Sequence, residues 1–476
     1  MESDRPDPLE LDAATMRELG YRVVDLLVDR IAGLGESPAW CGATRREMEE
    51  RLREPPPPHA EEFDRLVARL GDDVLPFAGH HDHPRFFAFI PSCPTWPGIL
   101  GELVAGGANV FQGTWLQSAG ASEIELVVLD WFKEWIGYPA QAAGLLVSGG
   151  SVANLTALAC AREARIGTHA DDAVLYLSSE GHSSVVRAAR VLGFEREQLR
   201  VLPTDESRRL APKLVAAAVD ADLRAGRRPF ALVANGGTTN TGAVDPIANL
   251  AAVCADLGLW LHVDGAYGGF AVLTDRGRTL LDGIGLADSV ALDPHKWLYQ
   301  PYEAGCLLVR DGDLLRQTFQ ILPDYLQDTA VDEGEINFAD LGVQLTRSAR
   351  GIKIWLSLKT FGVDAFRVAI DRSLDLAVLA EEWIRAAPEL ELISPAVLGI
   401  VCFRRRFQGV EDELELEQAN AGLVRVLNRS GEGMISSTRL DGRYVLRLCM
   451  LNHRSGPEDV ERILERLTET PLTECS

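Results

Sequence analysis

The sequence predicts an α/β protein built on a mostly parallel sheet, with a helical segment before it and a small α+β unit after it. Three observations predict this. Seven short apolar runs follow one another from about residue 140 to 310: Leu145–Val147, Ala173–Leu177, Leu199–Leu202, Phe230–Ala234, Leu259–Val263, Ser289–Leu292 and Cys306–Val309. Helical patterns separate several of them, at Ala153–Arg165, Ser183–Leu192, Ala211–Arg224 and Pro246–Leu257. Strands that are apolar throughout belong to a sheet covered on both faces. Ligands of such sheets bind at the carboxyl ends of the strands.

The flanking elements read as follows. Residues 11–33 carry Leu19, Val23, Leu26 and Leu27 at helical spacing, with Gly33 and Gly35 ending the helix. Pro55–Pro58 forms a stiff connector, and a second helix spans Glu61–Leu70. This first segment, residues 1–75, is too poor in core to stand alone. The large α/β unit spans 76–365 and closes on a helix over Leu345–Phe361. Residues 366–476 then alternate helix (Ala369–Ala386), strand (Gly399–Arg404), helix (Leu414–Asn428), strand (Tyr444–Met450) and helix (Pro457–Leu467).

Composition narrows the function. The chain has 476 residues and a formal net charge of −23, which disfavours nucleic acid or an anionic membrane as partner. No run of about 18 apolar residues predicts a membrane span. The eight Cys lack any C-x-x-C pair, as expected of reduced thiols in a cytoplasmic protein. Of the 47 basic residues only Lys133, Lys213, Lys296, Lys353 and Lys359 are lysines, so amine chemistry has few candidates. His80-His81-Asp82-His83 reads as a polar turn and not a metal site, because ligands crowded this closely rarely share one ion.

Five turns carry chemistry. Asp293-Pro294-His295-Lys296-Trp297 follows a strand, and a lysine there, beside a histidine and the aromatics Trp297 and Tyr299, is placed for desolvation and imine formation. His262-Val263-Asp264-Gly265-Ala266-Tyr267 ends another strand with a carboxylate that could meet a ring nitrogen. Ser148-Gly149-Gly150-Ser151 precedes a helix whose free N–H groups suit a phosphate, and it lacks the Gly-Lys-Ser/Thr of a nucleotide P-loop. Gly181-His182-Ser183-Ser184 offers an imidazole that could stack on a ring, and Asn235–Gly242 supplies hydroxyls, Thr239 among them. For a lone Asp, a lone His or a Gly-rich turn a structural role is the commoner reading, whereas the rarity of lysine and its specific neighbours favour a chemical role for Lys296. Together, at one sheet edge, they match the phosphate, ring nitrogen, aromatic face and aldehyde of pyridoxal 5′-phosphate.

The sequence resembles the group II pyridoxal-phosphate-dependent amino acid decarboxylases, the family that includes aromatic-L-amino-acid decarboxylase. The resemblance covers about residues 10–470. It rests on His83-Pro-Arg-Phe-Phe-Ala-Phe-Ile-Pro91, Gly-His-Ser-Ser, His-Val-Asp-x-Ala-Tyr, Pro-His-Lys-Trp and Tyr444-Val-Leu-Arg447. It implies the fold-type-I architecture: a mainly parallel seven-stranded sheet, a small C-terminal domain and an N-terminal helical dimerisation segment. It implies an amino acid carboxy-lyase working as a homodimer.

By the same resemblance Lys296 bears the cofactor as a Schiff base and Asp264 pairs with its ring nitrogen. His182 and Ala266 bracket the ring, Gly150 and Ser151 hold the phosphate with Asp293 and His295 close by, and Thr239 faces the coenzyme and the substrate carboxylate. Phe89, Ile90, Pro91 and Ser92 form the substrate wall, favouring an aromatic or large apolar amino acid. Asp293 departs from the Asn of many relatives; a carboxylate beside a phosphate requires a proton, hydrogen-bond donors or a turn away. The loop between Leu326 and Arg347 places Phe338 where aromatic decarboxylases carry a proton-donating Tyr, and no Tyr lies between 326 and 443. Phe there accompanies oxidative decarboxylation to an aldehyde in some plant relatives. Amine formation is the favoured expectation and aldehyde synthesis the alternative; a cofactor-binding scaffold without catalysis is a distant third.

Overall fold

The computed structural model describes residues 9–167, 170–321 and 334–475. The seven apolar runs become β1 (Ala143–Val147), β2 (Ala173–Ser178), β3 (Leu199–Leu202), β4 (Arg228–Asn235), β5 (Trp260–Asp264), β6 (Ser289–Leu292) and β7 (Gly305–Val309). They form one sheet in the order β1-β7-β6-β5-β4-β2-β3. The pairs β6–β5, β5–β4, β4–β2 and β2–β3 are parallel. Strand β7 runs antiparallel to both β1 and β6. Every residue of β2, β5, β6 and β7 is buried, as expected for strands covered on both faces.

The helices Gly150–Ile166, Ser183–Val191, Pro212–Arg224 and Ile247–Leu257 fall where the sequence pattern put them, within three residues at each end. Two long helices in a stretch that the sequence left unassigned, Trp96–Gly107 and Trp115–Ile136, complete the layers, and Trp96–Gly107 packs on the helix Arg350–Phe361. That last helix starts five residues later than its apolar pattern suggested. Arg347 is the reason: its guanidinium is drawn inward, donating to Glu125 Oε1 at 2.6 Å, Leu146 O at 2.7 Å and Gln112 O at 3.1 Å. Glu125 Oε1 also accepts the Leu146 N–H at 2.7 Å, so one buried ion pair fixes β1, the helix 115–136 and the chain around 347. Removing one partner leaves an uncompensated buried charge. Glu125→Ala is expected to cost about 3–5 kcal/mol of stability, read as a shift in the denaturant unfolding midpoint.

A second sheet, order β10-β11-β9-β8, is antiparallel throughout: β8 (Leu390–Val397), β9 (Ile400–Arg405), β10 (Ser436–Leu440) and β11 (Arg443–Cys449). It has its own core, in which Val401, Phe403, Leu446 and Leu448 meet Ala380, Ile384, Leu423, Ile463 and Leu467 from the helices Val363–Ala386, Glu413–Ser430 and Pro457–Glu469. Strands β8 and β10 were not anticipated. The first helix, Ala13–Ala32, buries none of its residues and leaves Met16, Tyr21 and Val28 exposed.

The His80–His83 turn serves structure. His80 binds the carbonyls of Pro38 and Leu75, Asp82 takes both terminal nitrogens of Arg30, and His83 Nε2 binds Ser37 O while its Nδ1 accepts the Arg85 N–H. Among the described residues no group of three His, Cys, Asp or Glu could hold a metal ion, and no helix is long and apolar enough to cross a membrane. Burial pushes His83 and His453 down to about 4. In the unfolded chain these rings titrate near the ordinary value of about 6.5. Between those values the unfolded state binds more protons, so stability rises with pH there. The contribution is whole above about 6.5 and is lost as the pH falls toward 4. Thermal unfolding midpoints are therefore expected to drop steeply across that window, and a flat profile would contradict the burial of these two rings in neutral form.

Candidate active site

A cavity of about 340 Å³ opens at the carboxyl edge of the parallel strands. The turns after β1, β2, β4, β5 and β6 all contribute to it, the geometry expected of an open α/β sheet. Its lining brings together Gly150, Ser151, His182, Thr239, Asp264, Ala266, Asp293, His295 and Lys296, all singled out from sequence. It adds Asn154, which sequence reasoning missed, and Ser184 and Tyr267, which stand in the quoted turns without an assigned role.

Each group is held by local structure. Gly150 opens the helix Gly150–Ile166, whose first turn has no side-chain cap, so its N–H groups face the cavity uncapped. A Cβ on Gly150 would stand 2.8 Å from Ala266 Cβ and 3.2 Å from Asp293 Oδ2, too close for any side chain here. Asp264 ends β5; its Oδ1 accepts the Ala266 N–H at 3.2 Å and its Oδ2 accepts Asn154 Nδ2 at 2.9 Å. His182 caps the helix Ser183–Val191 by accepting the Ser184 N–H at Nδ1, 3.3 Å away. A backbone N–H can only donate, so the neutral ring carries its proton on Nε2.

The Lys296 ammonium lies 2.8 Å from Asp293 Oδ2, and His295 Nε2 is 3.6 Å from the same oxygen. His295 Nδ1 accepts the Ala304 N–H at 3.2 Å, which leaves its proton on the nitrogen turned to Asp293. Burial lowers the His295 pKa, with the Asp293 charge opposing. One Asp293 oxygen, Oδ2, thus faces the Lys296 ammonium, with His295 farther off. Its other oxygen, Oδ1, is buried without a hydrogen-bond partner.

These residues fit pyridoxal 5′-phosphate. An uncapped helix start at a Gly-Gly turn suits the phosphate, the Asp264 carboxylate at the end of β5 suits a ring nitrogen, and one amine lines the same cavity.

The remaining sequence candidates lie outside the cavity lining. Phe338 is 1% exposed, in the short 3-10 helix Phe338–Leu341, with the Arg347 guanidinium 4.8 Å from its ring centre. The Ala339 N–H binds Gly113 O, and Asn337 Oδ1 accepts the Trp115 N–H, so this turn is packed into the chain's own core. The structure thus places Phe338 in the core, apart from the cavity lining. The part of that loop at 326–333 lies outside the described residues. Phe89, Ile90, Pro91 and Ser92 also do not line the cavity. They form a strap beside it: the Phe89 carbonyl accepts Arg447 Nη1 at 2.6 Å, Arg447 Nε donates to Asn240 O next to Thr239, and the Ser92 hydroxyl donates to Gln300 O. Phe89 adopts φ +53° and is 57% exposed, a strained backbone presenting an open ring.

Comparison with known proteins gives a consistent result. The family model described as the pyridoxal-dependent decarboxylase conserved domain matches residues 46–406. The chain is 41% identical to the aromatic-L-amino-acid decarboxylase of Bacillus atrophaeus, over 96% of each chain. It is 31% identical to the phenylacetaldehyde synthase of Arabidopsis thaliana, over 92% of each. The crystal structure of Oryza sativa TDC with PLP and tryptamine superposes with a TM-score of 0.92 at 30% identity, covering 98% of this chain and 99% of that one.

Proposed function

The chain belongs to the pyridoxal-dependent decarboxylase family and is a pyridoxal-phosphate-dependent amino acid carboxy-lyase, and from that premise we propose that it converts an aromatic or large apolar L-amino acid to the amine and carbon dioxide. The observation that carries this reading is the convergence of Lys296, Asp264 and His182 on one cavity that the uncapped turn at Gly150 also lines. When bound, the cofactor supplies an aldehyde that takes up the substrate amine and a ring that draws electrons from the bond to the carboxylate.

The residues divide the work. Lys296 would hold the cofactor through its side-chain amine. Asp264 keeps the ring nitrogen protonated. Gly150 and Ser151 orient the phosphate through the helix start, with Asp293 and His295 beside them. His182 and Ala266 bracket the ring, and His182 presents a proton on Nε2. Thr239 faces the substrate carboxylate. Phe89 to Ser92, tethered to the turn after β4 through Arg447, lie against the substrate side chain, and the open Phe89 ring favours an aromatic one. The same reading includes the unit boundaries 1–75, 76–365 and 366–476. It includes a homodimer, for which the unburied helix Ala13–Ala32 argues, and a cytoplasmic setting, which the eight unpaired cysteines favour.

A second reading is oxidative decarboxylation, in which oxygen and water are consumed and aldehyde, ammonia and hydrogen peroxide leave with carbon dioxide. It is favoured by Phe338 in place of a Tyr and by the likeness to an aldehyde synthase. A screen of the twenty amino acids by carbon dioxide release, with oxygen uptake and peroxide followed in parallel, tests both. Amine equal to carbon dioxide with no oxygen uptake is expected. A general acid contributes about 10²–10⁴-fold, so in the oxidative reading Phe338→Tyr would turn the products toward amine. In the reading favoured here the wild type already makes amine, and Phe338→Tyr leaves the product ratio unchanged while placing a hydroxyl in the core under Arg347.

A further inference from the structure

Beneath the cavity floor lies a chain of buried polar groups that the reaction scheme above does not use. Trp260 Nε1 donates to Ser289 Oγ at 2.9 Å, Ser289 Oγ meets His262 Nδ1 at 2.8 Å, and His262 Nε2 meets Asn154 Oδ1 at 2.8 Å. Asn154 Nδ2 then reaches both Asp264 Oδ2, at 2.9 Å, and Ser184 Oγ, at 2.8 Å. Ser184 Oγ meets His182 Nδ1 at 2.7 Å. Asn154 is 1% exposed and His262 is fully buried.

The direction of every bond in this chain is determined by its ends. An indole N–H only donates and a carboxylate only accepts. The Asp264 carboxylate therefore takes the Asn154 NH₂, which leaves the Asn154 oxygen for His262 Nε2; the neutral imidazole carries its proton there, and Ser289, which receives from Trp260, gives its own proton to Nδ1. Burial holds that ring neutral by lowering its pKa. The Nε2–H requires the oxygen of Asn154, which turns the amide NH₂ toward Asp264 and Ser184. With the amide turned the other way, its oxygen would face the Asp264 carboxylate and its NH₂ would face the His262 Nε2–H, acceptor against acceptor and donor against donor, and both contacts would be lost. Ser184, taking a hydrogen bond from Asn154, has its own proton free for His182 Nδ1.

We infer that Asn154 is a positioning residue for both cofactor-facing groups, with His262 as the pin that sets its amide. Asn154 fixes the Asp264 carboxylate against the ring nitrogen and, through Ser184, fixes the plane of the His182 imidazole. This rests on Asp264 being the ring-nitrogen partner.

The test uses the cofactor-loaded enzyme without substrate. It reads the dissociation constant for pyridoxal 5′-phosphate and the pH midpoint of the visible absorption band. The titratable groups lining the cavity, His182, Asp264, Tyr267, Asp293, His295 and Lys296, all stay in place. Asn154→Leu is expected to weaken cofactor binding at least tenfold and to shift the midpoint by about a pH unit. His262→Phe, which removes the pin and keeps the bulk, is expected to do the same to a lesser degree, and His262→Gln, which restores an N–H, to recover binding to within twofold of wild type. Should Asn154→Leu fail to fold, the two His262 variants decide. A lower melting temperature with unchanged cofactor affinity and spectrum would overturn the inference, as would His262→Gln behaving no better than His262→Phe. If instead Asp264→Asn left affinity and spectrum untouched, the ring-nitrogen reading itself would fall.

Discussion

Lys296→Ala is expected to lower carbon dioxide release by roughly 10⁴–10⁶-fold, the range seen when an enzyme loses its nucleophile. Of the five lysines, only Lys296 lines the cavity. Lys353, the nearest in sequence among the rest, is spent on Glu102 and on the carbonyls of Pro301 and Glu303. Lys133 is likewise tied to Asp130 and to the Ala142 carbonyl. No other amine is positioned to substitute. The variant also leaves the buried Asp293 carboxylate without its ammonium, so cofactor affinity should fall with turnover. Loss of the visible band after dialysis, alongside loss of carbon dioxide release, is the expected pair of results. Near-normal turnover would remove the basis of the assignment.

The second large effect is expected at Asp264. In Asp264→Asn the side chain keeps its size and loses its charge. One of its two donors, Ala266 N–H or Asn154 Nδ2, must then face an NH₂ and go unmatched. Ground-state loss of a charge-assisted hydrogen bond costs about 1.5–3 kcal/mol. The kinetic loss should be larger, on the order of 10²–10³-fold in kcat, because the charge acts where electrons accumulate during reaction. Measurement at saturating cofactor separates this from weak binding. Wild-type kcat with cofactor bound would show that the ring nitrogen finds its partner elsewhere.

The parts of the molecule legible from sequence are those written in local pattern. The seven strands were visible because strands buried on both faces are apolar throughout, and the chemistry was visible because five strands end in unusual turns. What stayed hidden depends on partners distant in sequence. The start of the helix at 350 is set by Glu125, more than two hundred residues away. The helix Trp115–Ile136 buries one stripe, but that stripe begins with Ser118, Ser122 and Glu125 and Ser118 is non-helical, which blurs its apolar period. Asn154 sits in a largely apolar helix, but the direction of its amide is decided by Asp264, more than a hundred residues away. The antiparallel sense of β7 leaves no mark in composition. Phe338 was legible as a residue type at an aligned position, and its packing under Arg347 was not.

That reversed strand has a consequence for how the enzyme comes into being. β7 lies between β1 and β6, so residues 143–147 join the sheet's centre only through residues 305–309. A Cβ on Gly305 would overlap the backbone of Gly149, so β7 starts against the phosphate turn itself. Residues 143–147 therefore take their place in the sheet only after residues 305–309 have been made, a long-range pairing of the kind that forms slowly, while the helix that carries the phosphate turn packs directly on β4, β5 and β6.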